Sequence, residues 1–88
     1  MNMKYIEYPK NNGEYSKRPA AYFVSPWGDI SKRNAEWVKF MAQKETFVEA
    51  KAWILANRDY DAEIRSTAFS LKDAKVIAER NRKEFYGR

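Results

Sequence analysis

Positively charged side chains interleaved with aromatic rings are the groups through which this sequence can do chemistry, and what they suit is recognition of an anionic partner. Lys10 to Arg18 is one such stretch, with Tyr15 between Lys10 and the Lys17-Arg18 pair. Cations for phosphates and a ring for a base to stack on are what single-stranded nucleic acid needs, although a solvated surface loop has the same composition. Ser25-Pro26-Trp27-Gly28-Asp29 is a second, followed closely by Lys32 and Arg33. A large aromatic at the tip of a Pro/Gly turn is poorly placed for a core. That leaves Trp27 to stack on a base or anchor an interface, unless the ring folds back over the sheet edge. The third stretch is C-terminal, where Lys72, Lys75, Arg82 and Lys83 fall on or near the outer face of a helix, with Arg80 at its flank and Arg88 at its tail. Basic residues in the last turns also suit the helix dipole, and Glu79 with Lys83 or Glu84 with Arg88 can pair at i,i+4, so structure alone explains most of this stripe.

Bond-making chemistry finds little to work with. The chain has no cysteine and no histidine, which removes disulfides, thiolate or imidazole metal sites, and every Cys–His or Ser–His nucleophile. Asp59, Asp61 and Glu63 alternate and would line one side of an extended segment, as a hard cation wants. Ile64 stands where an EF-hand loop needs glycine, however, and no correctly spaced glutamate follows. Nothing fixes the separation of Glu7, Glu14, Glu36 or Glu45, and the three glycines share no phosphate-cradling motif. The expectation is a non-enzymatic protein with no metal and no small-molecule cofactor.

The formal charge of +5 is unevenly placed. Residues 1–44 carry eight basic and four acidic side chains, residues 45–73 four and six, and residues 74–88 five and two. A polyanion or an acidic protein surface would therefore meet the two ends of the chain rather than its middle.

The elements that must position these groups show in an internal repeat at an offset of 24 residues. Thr46-Phe47-Val48-Glu49-Ala50-Lys51 aligns with Ser70-Leu71-Lys72-Asp73-Ala74-Lys75, and Asn57-Arg58 aligns with Asn81-Arg82. In each copy a hydroxyl residue is followed three positions later by a carboxylate, the capping-box pattern that opens a helix. The spacing predicts one helix from about Phe47 to Asn57, with Phe47, Ala50, Trp53 and Ile54 inward. It predicts another from about Leu71 to Tyr86, with Leu71, Ala74, Ile77, Ala78 and Phe85 inward and Gly87 just past the end.

Strands are expected ahead of each capping box, at Trp37 to Lys44 and Ala62 to Ala68. A rival stands beside the first: Phe40, Phe47 and Ile54, with Met41, Val48 and Leu55, recur at seven-residue spacing and would suit one continuous helix from 31 to 57. Two further strands are predicted at Met3 to Tyr8 and Ala20 to Ser25, joined as a hairpin through the polar stretch Pro9 to Glu14. Trp37, Phe40, Phe47, Trp53 and Phe69 are the expected core aromatics.

Eighty-eight residues suit a single domain, and 44% hydrophobic with 16% aromatic content is enough apolar surface to offset the entropy of ordering it. The predicted architecture is α+β: a small antiparallel or mixed sheet of three or four strands with two amphipathic helices packed on one face. Met1 to Lys10 offers only Tyr5, Ile6 and Tyr8 between charges, unlike the apolar core of a secretory signal, and the longest apolar run, Ala52 to Ala56, is far too short to span a bilayer. A cytoplasmic protein is expected.

Two kinds of partner fit. One is RNA, single-stranded DNA or a ribonucleoprotein, with Lys10, Lys17, Arg18, Lys32 and Arg33 on phosphate and Trp27 or Tyr15 stacking; Lys75, Arg82 and Lys83 extend the basic surface. The other is an acidic host protein. In its short length, its aromatic and lysine content and its strand, capping-box and helix repeat, the chain resembles small accessory proteins of tailed bacteriophages. That resemblance rests on general look, without a specific motif, and implies binding to and inhibition of a host enzyme in the host cytoplasm.

Overall fold

A computed structural model of the chain describes residues 19–87. β1 (Ala21–Val24) and β2 (Ile30–Arg33) make an antiparallel hairpin in which Ala21 faces Arg33 and Val24 faces Ile30. Five residues, Ser25 to Asp29, close it. Pro26 presets the first corner, and Gly28 takes φ +98°, a left-handed conformation that glycine enters without steric cost. The Ser25 amide donates to Asp29 O at 2.8 Å, the Gly28 amide to Ser25 O at 3.0 Å and the Asp29 amide to Ser25 Oγ at 2.9 Å. β3 (Thr67–Ala68) pairs antiparallel with the other edge of β1, giving the order β2-β1-β3.

Side chains alternate along a strand, so Ala21 and Phe23 look to one face of the sheet and Tyr22 and Val24 to the other. α4 (Leu71–Tyr86) covers the second face, where Val24, Ala68, Ala74, Ile77 and Ala78 are buried together against Tyr22. The first face takes α1 (Ala35–Ala42) and α2 (Phe47–Ala56). There Ala21, Val38, Ala42, Ala50, Ile54 and Ile64 form a second buried cluster, with Trp37, Met41, Phe47, Trp53 and Phe69 packed around it. A short helix α3 (Ala62–Arg65) leads into β3.

Each helix among the described residues opens on a side chain that accepts an amide three residues on. Asn34 Oδ1 takes Trp37 N–H at 2.8 Å, Thr46 Oγ1 takes Glu49 at 3.1 Å, Asp61 Oδ1 takes Ile64 at 2.9 Å and Ser70 Oγ takes Asp73 at 3.1 Å. Each cap satisfies a backbone donor that would otherwise lack an intrahelical partner.

The α+β class, the three-stranded antiparallel sheet, the strand over 21–24 and the helices over 47–56 and 71–86 agree with the sequence-based expectation. Two helices do share one face, but they are α1 and α2; α4 lies opposite, so the sandwich has a third layer.

Other expectations are corrected. Trp37 to Lys44 is not a strand: Asn34 caps it, and Val38, Met41 and Ala42 fall on one side of a helix. Nor is there one helix from 31 to 57, because Gln43 turns left-handed at φ 58° and α1 stops. There the Gln43 amide donates to Phe40 O at 3.2 Å and the Lys44 amide to Lys39 O at 3.1 Å, the bond pair of a Schellman motif. Ala62 to Ala68 is split, since the Asp61 cap turns its first half into α3 and only Thr67–Ala68 pair as strand.

Phe40 is not in the core; it is 82% exposed on the side of α1 away from Val38 and Ala42. Leu71 and Phe85 are likewise exposed at the margins of α4 rather than buried. The strand at Met3 to Tyr8 lies outside the described residues, and its expected partner, β1, is already paired along both edges. Among the described residues no helix is long and apolar enough to cross a membrane.

Candidate binding surface

The β1–β2 turn is held against the last turns of α4 by two consecutive side chains. Asn81 is buried, and its Nδ2 donates to Ser25 O at 2.9 Å and to Ser66 Oγ at 3.2 Å, tying the start of the turn to the start of β3. Its Oδ1 accepts from Arg80 Nε at 3.2 Å and Nη2 at 3.1 Å, so both ends of the amide are used. Arg82 Nη1 donates to Gly28 O at 3.2 Å while its stem lies over the glycine, where an added Cβ would collide with Arg82 Cγ. The turn is fixed in place by polar bonds at its start and end.

Its tip therefore meets α4 in a defined way. The Trp27 ring sits edge-on to Phe85 with centroids 6.1 Å apart, and Phe85 is edge-on to Tyr86 at 4.8 Å. Trp27 Nε1 donates to Asp29 Oδ2 at 2.9 Å, which sets the plane of the indole. The three rings remain open to solvent, at 47% for Trp27, 44% for Phe85 and 70% for Tyr86. Such an arrangement offers aromatic faces for stacking and an apolar patch for burial.

Cations border this cluster. Arg82 is exposed and spends one of its five N–H donors on Gly28 O. Lys83 is exposed on the next position of the helix, with Glu79 at 3.9 Å. Lys75 lies two turns back on the same side as Arg82, and Lys32 is exposed on β2, opposite Tyr22 and so on the α4 side of the sheet. Of the sequence-predicted residues, the fold brings Trp27, Arg82 and Lys83 together, with Lys75 and Lys32 on the same side of the molecule.

Arg33 is elsewhere. Its guanidinium lies over Trp37 at 5.2 Å and Phe23 at 5.8 Å, on the α1 face of the sheet, where it is half-buried against both rings. Lys10, Tyr15, Lys17 and Arg18 lie outside the described residues. Asp59, Asp61 and Glu63 do not line one strand, because Asp61 caps α3 and Glu63 is inside it.

Sequence reasoning missed Phe85 and Tyr86 as surface rings, Asn81 as the buried clamp, and the approach of Arg65 to Glu84 on the far flank of α4. There the Ser66–Asn81 bond brings the end of α3 against α4. Arg65 Nη2 is 3.9 Å from Glu84 Oε1, and Arg80 is held half-buried by Asn81. Partial burial, then the nearby Arg65 charge, lower the Arg80 pKa from its usual value; Glu84 acts in the opposite direction and Arg58 adds to the lowering. The aligned pairs Asn57-Arg58 and Asn81-Arg82 were the available signal for Asn81, but the two asparagines differ in role: Asn57 Nδ2 bonds its own helix at Trp53 O, 2.9 Å away.

A hollow at the α1–α2 turn is lined by Gln43, Lys44, Glu45, Glu49, Ala52 and Trp53. Two carboxylates against one lysine make it unsuited to a polyanion. No protein-family model, curated protein or solved structure matches the chain.

Proposed function

We propose that the protein is a non-enzymatic binding module that takes single-stranded nucleic acid, RNA or DNA, on the surface formed by the β1–β2 turn and the last turns of α4. The observation that carries this is the open Trp27–Phe85–Tyr86 cluster with Arg82 and Lys83 at its border. Bases stack on the exposed ring faces, and phosphates replace counterions at the cations. Asp29 reduces the local positive charge but holds the indole at a fixed angle, which lowers the entropy lost on binding. A cytoplasmic setting, or the host cytoplasm for a phage-encoded chain, accords with a sequence that lacks cysteine.

One observation favours a second kind of partner. α2 carries only Glu49 and Lys51 as charged residues, and its outer side presents Val48, 76% exposed, with Ala52 and Leu55 one and two turns on. A helix apolar on its inner and outer sides alike is normally covered on both. Docking of a protein at α2, including inhibition of a host enzyme, would use this face and leave Trp27 untouched.

Titration of the tryptophan fluorescence with a short single-stranded oligonucleotide separates the two. Quenching with micromolar or tighter affinity is expected, with log K falling as log salt rises, by about 0.7 for each phosphate engaged. Trp27→Ala is expected to weaken binding by about 1–3 kcal/mol, the value of one base stacked on one ring. Absence of binding at about 50 mM salt would remove the nucleic-acid function and leave the α2 face.

A further inference from the structure

Asp29 is an anion set into the surface that takes a polyanion. It is exposed, and among the described residues no lysine or arginine is paired with it. Its place is nevertheless fixed by three bonds. The Asp29 amide donates to Ser25 Oγ at 2.9 Å, its carbonyl accepts the Ser25 amide at 2.8 Å, and its Oδ2 accepts the Trp27 Nε1 proton at 2.9 Å. The indole N–H lies in the plane of its ring, so a well-aligned acceptor stands at the ring's edge, beside any base stacked on its face. That one bond uses one of about four lone-pair sites on the carboxylate, and both oxygens keep room for further donors.

An unpaired carboxylate repels phosphates and costs affinity unless the ligand brings donors to it. Bases differ in what they bring. Guanine carries two adjacent donors on its Watson–Crick edge, N1–H and the 2-amino group, spaced to meet the two oxygens of one carboxylate. Adenine and cytosine set their amino group beside a ring nitrogen that accepts, and uracil flanks its single N–H with two carbonyl oxygens. Each of those edges puts a lone pair against the carboxylate. We infer that Asp29 selects guanine for the base that lies on Trp27, its two oxygens accepting N1–H and the 2-amino group while the indole face takes the stack. This rests on the nucleic-acid function proposed above and names the base that its Trp27 position prefers. Stacking itself is indifferent to the base, so the others still lie on the ring, with lower affinity.

The probes are labelled RNA octamers, one all uridine and one with a single central guanosine. In anisotropy titrations the guanosine is expected to tighten wild-type binding about tenfold or more, the worth of one bidentate pair between a side chain and a base. Inosine, which keeps N1–H and lacks the 2-amino group, is expected to fall between the two. Asp29→Asn keeps an oxygen for the indole N–H and removes the charge. It is expected to bring the two octamers within about threefold of each other, with the uridine octamer bound no more weakly than before. A merely structural role for Asp29 would weaken both octamers alike, and that result would overturn the contact. Equal wild-type affinity for the two octamers, or the full guanosine preference retained in Asp29→Asn, would also overturn it while leaving the Trp27 surface in place. Guanosine monophosphate offers the same edge without a strand and is expected to bind at least about tenfold more weakly than the guanosine octamer. Equal affinity would support the contact and overturn the single-strand reading. If neither octamer binds at about 50 mM salt, the nucleic-acid function falls and guanine selection falls with it.

Discussion

Gly28 shows how much a single position carries. It is buried, takes φ +98° and lies under the stem of Arg82. Gly28→Ala therefore meets two costs, a conformation that L-residues rarely adopt and a Cβ in occupied space, and should destabilise the fold by about 1–3 kcal/mol. The flexible Arg82 side chain can swing away, so the second cost appears as a released turn. In thermal melts the variant should lose several degrees, and its Trp27 emission should shift towards that of a free indole; an unchanged emission would mean that Arg82 does not hold the turn. At this scale the sequence was legible where local chemistry decides the outcome. Pro26 and Gly28 marked the turn, and Thr46 and Ser70 marked helix starts. It was silent where the deciding partner is distant: Asn81 bonds a carbonyl 56 residues away, and nothing near Asn81 announces that.

The elements differ in how clearly their limits were written. α2 and α4 carry a hydroxyl cap followed by an acid, and both form where that pattern puts them. α1 was misread because Trp37, Val38 and Phe40 favour strands and because its end carries glutamine where helices usually leave through glycine. The Schellman bonds at Gln43 and Lys44 nevertheless require a left-handed residue. Gln43→Gly should accordingly stabilise the protein by about 0.5–1 kcal/mol, read as a raised urea midpoint at unchanged slope. A lowered midpoint would mean that α1 and α2 are joined some other way. The heptad spacing that suggested one long helix is real, but Phe40 and Val48 face outwards, so that periodicity does not describe a buried seam.

For the whole molecule, the sandwich of α4, sheet and the α1–α2 pair separates two surfaces. One side carries the Trp27 turn and the cations of α4; the other carries the apolar face of α2. The class of fold followed from two capped helices and the strand at β1, while β2 went unpredicted; the layering depended on which face of β1 each helix covers, and a four-residue strand whose inward residues are Ala21 and Val24 does not reveal that. The basic ends of the chain were equally visible as composition, but only the fold separates Arg33, lying over Phe23 and Trp37, from Arg82, placed beside Trp27. Photo-crosslinking of a single-stranded oligonucleotide carrying 5-bromouridine, followed by mapping of the linked peptides, tests most directly where nucleic acid lies. Adducts on Trp27 and Tyr86 are the expected result. Adducts confined to α2, or none at concentrations that saturate binding, would contradict it.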